Sequence, residues 1–326
     1  MKVLIVGGAG YIGTHVVHAF MDNGVETAVL DNFSSGTRKN LPGGIEIFEG
    51  DIADKLFLNK VFSQKWDGAV HLAAFKAAGE SMENPGKYAE NNIAGTINLL
   101  NAVTEAAMPA FVFSSSAAVF GEPEYLPIDE EHPTVPTNFY GFTKLAIENL
   151  MDWYAQLKNF RFASLRYFNA AGYDIQGRVT EPERSPQNLL PIIMETAAGL
   201  RESLTINGSD YDTPDGTCIR DYIHVSDLAD AHVLSMQYLL DRKTSIKINL
   251  GSEKGISVAQ MADEAMRVTG FNFPRTVGGR REGDPARLIA SSAKARELLG
   301  WEASRSDTET LLSSAWAVYE RLKRKF

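Results

Sequence analysis

Residues 3–13 read VLIVGGAGYIG, an apolar run that passes directly into three spaced glycines, Gly7, Gly10 and Gly13. A strand, such a glycine turn and then an amphipathic stretch together predict a strand–turn–helix unit that holds a dinucleotide. The first glycine permits the tight turn, the second lets backbone approach a pyrophosphate, and the third lets helix pack closely on strand. The helix N-terminus then offers free N–H groups and a positive dipole end to the phosphates. Alone, the triplet is weak evidence, with a flexible strand-to-helix turn as the other reading, so its position at the strand–helix junction carries the argument.

Outward from that loop, short β-branched runs alternate with longer amphipathic stretches. Strand candidates lie at 2–7, 26–31, 45–51, 68–74, 110–116 and 161–169, with helical stretches at 11–22, 54–65, 87–107 and 138–158. Near-continuous apolar strands alternating with helices imply an α/β, Rossmann-like doubly wound parallel sheet covered on both faces. After residue 170 the pattern breaks into DIQGRVTEPERSPQN, a helix over 188–200, short strands and IRDYIHVSDLADAHVLSMQYLL. A strand (247–252) and a helix (258–270) follow. The expected organisation is a dinucleotide-binding domain over 1–169 and a smaller α/β substrate domain over 170–326. The two are interleaved, with about 220–255 returning to the first.

Composition narrows the function. The 326 residues are 44% hydrophobic and 22% charged, as in ordinary soluble globular chains. No apolar run approaches the roughly 18–20 residues of a membrane span, and the strand-like start lacks a signal-peptide layout. A net charge of −9 argues against a nucleic-acid partner, which would need clustered Lys and Arg. The single cysteine, Cys218, excludes an internal disulfide, reads as a packing residue and fits a reducing cytoplasm. The six histidines carry no metal-ligand spacing, and the i,i+3 pair His15/His18 is not read as a site.

Asp31 ends the second strand, 18 residues after Gly13, where a carboxylate can bond the adenosine ribose. The same charge would repel a 2′-phosphate, which favours NAD over NADP; Arg38 in the next loop is a mild counter-argument. Asp51, at the end of the third strand, suits either an adenine contact or a turn.

Three Tyr/Lys pairs have catalytic i,i+4 spacing: Tyr140/Lys144, Tyr154/Lys158 and Tyr319/Lys323, where eleven tyrosines and fifteen lysines give roughly half a pair by chance. Only Tyr140 lies at a helix start, with Thr137 or Asn138 as N-cap, 24 residues after the Ser114–Ser116 strand end. The helix dipole and the Lys144 ammonium both favour a phenolate there. Lowering a phenol from ~10 to ~7 needs about 4 kcal/mol, which a cation, the dipole and a positive nicotinamide could jointly supply. Tyr154 and Tyr319 read as packing or surface residues.

These pieces resemble the extended short-chain dehydrogenase/reductases, and among them the UDP-galactose 4-epimerase family. The likeness runs almost end to end through GGAGYIG, LDNFSSG, EGDI, HLAAFKAAGES, ENNIAGT, FSSSAAVFG, YGFTK, LRYFNAAG, NLLP, DGTCIRDYIHVSDLADAH and RREGDPARL. HLAAFKAAGES and DGTCIRDYIHV are its specific parts. The resemblance implies that Tyr140 is the base toward the sugar 4-hydroxyl, that Lys144 lowers its pKa and binds the nicotinamide ribose, and that Ser116 bonds the same hydroxyl. It implies an NAD site formed by Gly7, Gly10, Tyr11, Ile12, Gly13, Asp31, Asn32, Phe33, Ser35, Gly36, Asp51, Ile52, Leu72, Ala73, Ala74, Lys76, Asn91, Ser114, Tyr140, Lys144 and Phe168. It implies that Ser116, Tyr140, Asn169, Asn188, Leu189, Thr205, Ile206, Asn207, Arg220, Arg281 and Asp284 hold a UDP-sugar, and that the chain is a homodimer. Arg220 and Arg281 would otherwise read as surface partners of Asp221, Glu282 or Asp284; on an acidic chain a diphosphate needs dedicated arginines.

The expected activity is UDP-glucose 4-epimerisation through a transient 4-keto sugar; epimerases of UDP-N-acetylhexosamines or UDP-pentoses share every motif. Sugar-nucleotide dehydratases carry an Asp-Glu pair after the active-site serine or threonine, whereas Ser116 precedes Ala117 and Ala118. An NAD-sensing binding protein would lack the Tyr–Lys pair. The chain departs from the family pattern at Phe139, where proline is frequent, and at Ala118 and Phe120, where threonine and tyrosine are. Leu288 aligns with a position that limits room beside the sugar 2-substituent, and leucine leaves more room there than tyrosine.

Overall fold

The computed structural model describes residues 1–281 and 283–322; Glu282 and Lys323 lie outside them. Seven parallel strands form the main sheet, in the order Ile246–Leu250, Phe162–Tyr167, Phe111–Ser116, Gly68–His71, Lys2–Val6, Glu26–Asp31 and Glu46–Glu49. Strand Lys2–Val6 therefore lies between the two directions of winding, and the crevice beyond its carboxyl end is where such sheets take ligands.

Period-2 alternation distributes the apolar residues of each strand to both faces. Val3 and Ile5 pack with Val16 and Phe20 of helix Tyr11–Asp22 and with Leu228 and Met236 of helix Val225–Arg242. Leu4 and Val6 pack on the other face with Leu58, Leu99, Val103, Ile147 and Met151. These come from helices Lys55–Phe62, Thr96–Glu105 and Phe139–Leu157. The chain returns to the large sheet through helix Val225–Arg242 and strand Ile246–Leu250.

A smaller sheet joins Gly255–Ser257, Ile219–His224 and Arg287–Leu288, with Asn169–Ala171 also on Ile219–His224. Strand Leu204–Asn207 pairs in parallel with Arg275–Gly278. Helices Leu189–Ala197, Val258–Thr269 and Thr308–Tyr319 bury Ile193, Met261 and Leu312 in a separate core. Ser257 and Gln260 close a reciprocal capping box at the second of these helices.

Two expected elements divide. The strand expected over 161–169 becomes Phe162–Tyr167 and Asn169–Ala171, which belong to different sheets. The helix expected over 87–107 becomes helix Pro85–Tyr88, a wider π turn over Ala89–Gly95 and helix Thr96–Glu105. The π turn carries Asn91 and Asn92, and such turns recur at functional sites. Among the described residues no helix is long and apolar enough to cross a membrane.

Candidate active site

A cleft opens at the carboxyl ends of strands Lys2–Val6, Glu26–Asp31 and Gly68–His71. Eleven of the expected residues line it: Gly7, Gly10, Asp31, Asn32, Ser35, Asp51, Ile52, Leu72, Ala73, Ala74 and Asn91. Leu30, Ser34, Gly50 and Phe75 line it too, without a sequence signal of their own. Gly7 has φ +81°, and a Cβ there would stand 2.6 Å from Ala73 N. A Cβ on Gly13 would stand 2.1 Å from Gly7 O, so Gly13 serves helix–loop packing beneath the cleft. No side chain caps helix Tyr11–Asp22 at Gly10, which leaves its first N–H groups facing outward.

At the far edge, Asp31 accepts from Ala9 N at 2.9 Å and from Phe33 N at 2.7 Å. Burial still raises its carboxyl above the ordinary range, against those two bonds. Asn32 donates to Asp51 at 2.7 Å, so two polar residues at the rim brace each other. Asp51 lies two residues beyond strand Glu46–Glu49, not at its end. Arg38 pairs with Glu49 and its guanidinium lies 4.2 Å from the centre of the Phe33 ring, which keeps it occupied. A bare glycine cradle, an uncapped helix end and a carboxylate at the ribose position fit NAD.

Other expected cofactor residues sit elsewhere. Tyr11 Oη donates to Gly172 O at 2.6 Å and its ring packs 5.2 Å from that of Tyr173, joining the glycine loop to the smaller lobe. Ile12 packs against the main core, Gly36 lies against the Ala9 backbone, and Phe33 adopts φ +55°. Phe168 is buried with Ala117, Val119 and Phe120. Lys76 is turned to Glu183, a partner 107 positions away that no local pattern signals. Asn92 was likewise missed: it accepts from Phe75 N and donates to Phe75 O, both at 2.9 Å, holding the loop after strand Gly68–His71.

Strand Phe111–Ser116 and helix Phe139–Leu157 bring the expected catalytic groups together. Asn138, one of the two expected caps, accepts from Gly141 N at 2.8 Å and starts the helix so that Tyr140 lies in its first turn. Lys144 Nζ donates to Ser114 O at 2.7 Å and stands 5.7 Å from the centre of the Tyr140 ring. Ser116 Oγ accepts from Ala118 N at 3.1 Å and neighbours the Tyr140 hydroxyl.

The electrostatics depart from the expected phenolate. Burial pushes the Tyr140 phenol up, with the Ser116 hydroxyl opposing it. Burial lowers the Lys144 ammonium to about 7, with Glu148 opposing it. The ammonium is directed at a carbonyl, and dehydration outweighs its attraction for the phenol. The other tyrosines behave as packing groups: Tyr154 bonds Asn101 at 2.6 Å, and Tyr319 is buried against Tyr173.

On the smaller lobe, Arg220 is buried and faces Asp284 at 3.1 Å. With its carboxamide oxygen toward Arg281, Asn207 accepts from Nε at 3.0 Å and Nη2 at 3.1 Å. Asn188 precedes helix Leu189–Ala197 without capping it, which leaves its carboxamide uncommitted to the helix; Leu189 begins that helix. Asn169 donates to Asp221 O at 2.9 Å. Thr205 Oγ1 lies 3.3 Å from Thr276 Oγ1. The Ile206 side chain belongs to the smaller lobe's core, so strand alternation leaves only its backbone for a ligand.

Residues 3–251 match the model of the NAD dependent epimerase/dehydratase family. The chain belongs to that family. It is 46% identical over 321 residues to a UDP-glucose 4-epimerase of Lacticaseibacillus casei, covering 98% of this chain and 97% of the relative. A Brucella ovis UDP-glucose 4-epimerase solved with NAD superposes with TM-score 0.95 at 40% identity, covering 98% of both chains. The UDP-Glc/GlcNAc 4-epimerase of Campylobacter jejuni superposes with TM-score 0.85 at 38% identity, over 98% of this chain and 99% of that one. The family's NAD dependence agrees with the cleft. Among the described residues no group of three or more His, Cys, Asp or Glu is arranged to hold a metal ion.

Proposed function

We propose that this chain is a UDP-glucose 4-epimerase that interconverts UDP-galactose and UDP-glucose. The observation that carries the reading is Tyr140 beside Ser116, with Lys144 fixed behind them and only Ala117 and Ala118 following the serine. Elimination of water from the sugar would need an added acid and base there, and none is supplied.

Gly7, Gly10, Asp31, Asn32, Asp51 and Asn91 hold the cofactor across the cleft. Bound NAD supplies the hydride acceptor and donor at sugar C4. In the loaded site Lys144 and the helix N-terminus, joined by a positive nicotinamide, favour ionisation of the buried Tyr140 phenol. Tyr140 Oη then takes the 4-hydroxyl proton and later returns one, Ser116 holds the same oxygen, and Lys144 stabilises the phenolate. Arg220, Arg281, Asn188 and Asn207 anchor the nucleotide diphosphate, so the 4-keto sugar can turn about its link to that anchor. Loose sugar contacts and a tight nucleotide grip are what inversion at one carbon requires. The two-lobe division at residue 170, with the return near 220–255, belongs to the same reading.

A second reading extends the substrates to UDP-N-acetylhexosamines. Leu288 packs beside the cluster of Ala117, Phe120 and Phe168, where a leucine leaves space that a tyrosine would fill. The relative from C. jejuni carries both sugars in its name.

A homodimer in the cytoplasm completes the proposal. Phe142, Trp153 and Leu157 are 48, 60 and 72% exposed along one side of helix Phe139–Leu157, an apolar face suited to a second copy. Turnover of UDP-galactose by the purified chain with no NAD added tests the central assignment.

A further inference from the structure

Directly behind the Tyr140–Lys144 pair lies a charged cluster that none of the proposed catalytic steps uses. Glu148 is fully buried one helical turn beyond Lys144, on the same side of helix Phe139–Leu157. Its Oε1 accepts from Ser115 Oγ at 2.6 Å, Ser164 Oγ at 2.8 Å and Arg166 Nε at 3.0 Å. Its Oε2 accepts from Arg166 Nη2 at 2.7 Å. The carboxylate thus ties the catalytic helix to two neighbouring strands at once.

A buried ion pair is weak evidence for stability, because taking both charges out of water offsets most of their attraction. Here the pair is also imperfect, since Arg166 Nη1 is buried without a hydrogen-bond partner. The location is more informative. Ser115 lies between Ser114, whose carbonyl receives the Lys144 ammonium, and Ser116, which neighbours the Tyr140 hydroxyl. Holding Ser115 fixes the strand end that orients both groups.

We propose that Glu148 is a positioning residue for the epimerase chemistry: its carboxylate places a buried negative charge one helical turn from Lys144 and holds the Ser114–Ser116 strand end against the catalytic helix. The proposal rests on the roles given to Tyr140 and Lys144 above. The charged and titratable groups facing this region are Arg166 beside Glu148, Glu130 near Arg166, Tyr140 and His71 near Lys144, and Tyr88 and Tyr167 near Tyr140. Glu148 opposes the effect of burial on Lys144, so neutralising Glu148 removes that opposition. Lys144 then loses its proton at lower pH.

The test measures kcat, KM and retained NAD against pH for Glu148→Gln. The alkaline limb of kcat should move to acid by on the order of 1 pH unit, a roughly tenfold loss on that limb. KM for the UDP-sugar and the NAD content should hold. The double variant Glu148→Gln/Arg166→Met avoids leaving a buried arginine unpaired and should still shift the limb if the single variant does not fold. Ser115→Ala/Ser164→Ala removes hydrogen bonds but no charge, and its limb should stay in place. An unmoved limb in both carboxylate variants would overturn the proposal. An active Tyr140→Phe would instead overturn the catalytic reading beneath it.

Discussion

Lys144 Nζ and the Ser114 carbonyl oxygen lie 2.7 Å apart, so the ammonium is fixed to the strand that carries Ser116 instead of pointing freely at the phenol. With burial lowering Lys144 to about 7, its charge is held near the midpoint of its titration at neutral pH. Replacing it with methionine keeps the length and removes the charge. Lys144→Met should lower kcat roughly 100-fold with the folded state retained by circular dichroism. Undiminished turnover would remove Lys144 from the chemistry.

Four imidazoles make the fold sensitive to acid. Burial lowers His15 and His232 to about 4, and His71 and His224 to about 3, from an ordinary 6.5. Asp174 N donates to His15 Nε2 and Ser226 N to His224 Nδ1, bonds that accept no added proton. A folded pKa below the unfolded one gives stability that is complete above about 6.5 and lost as pH falls toward the folded value. Each imidazole then costs about 1.4 kcal/mol per pH unit in that window. Thermal melts should show a plateau above pH 7 and a steep fall in Tm between pH 6.5 and 4.5; a flat profile would contradict the burial of these rings.

Leu288 gives a specificity test. Leu288→Tyr should reduce kcat/KM for UDP-N-acetylglucosamine roughly tenfold or more while sparing UDP-galactose. If the parent enzyme ignores the N-acetylated sugar altogether, the wider substrate range is wrong.

The apolar face of helix Phe139–Leu157 gives an assembly test. Trp153→Asp combined with Phe142→Asp should halve the mass seen by analytical ultracentrifugation, and a parent that sediments as a monomer would exclude the dimer.

What the sequence disclosed and what it withheld divide by distance along the chain. The glycine loop, Asp31 and Tyr140/Lys144 were legible because each is a local pattern on one strand–turn–helix unit. Helices 11–22 and 258–270 carried period 3.6 between clear ends, and the structure gives Tyr11–Asp22 and Val258–Thr269. Glu183 against Lys76 and Asn92 under Phe75 left no local trace, because long-range packing alone brings them together. Strand Arg287–Leu288 has two residues, too few for any period to appear. Ile206 shows a related point: an alternating strand sends neighbouring side chains to opposite faces, and its side chain goes to the core, which leaves its backbone for a ligand.

The most direct measurement incubates the purified chain with UDP-galactose, adds no NAD, and follows UDP-glucose beside a Tyr140→Phe variant. The parent should convert the substrate to an equilibrium mixture with cofactor it already carries, and the variant should lose roughly 100-fold or more in kcat. Absence of UDP-glucose even with NAD supplied, or a variant as fast as its parent, would contradict the assignment.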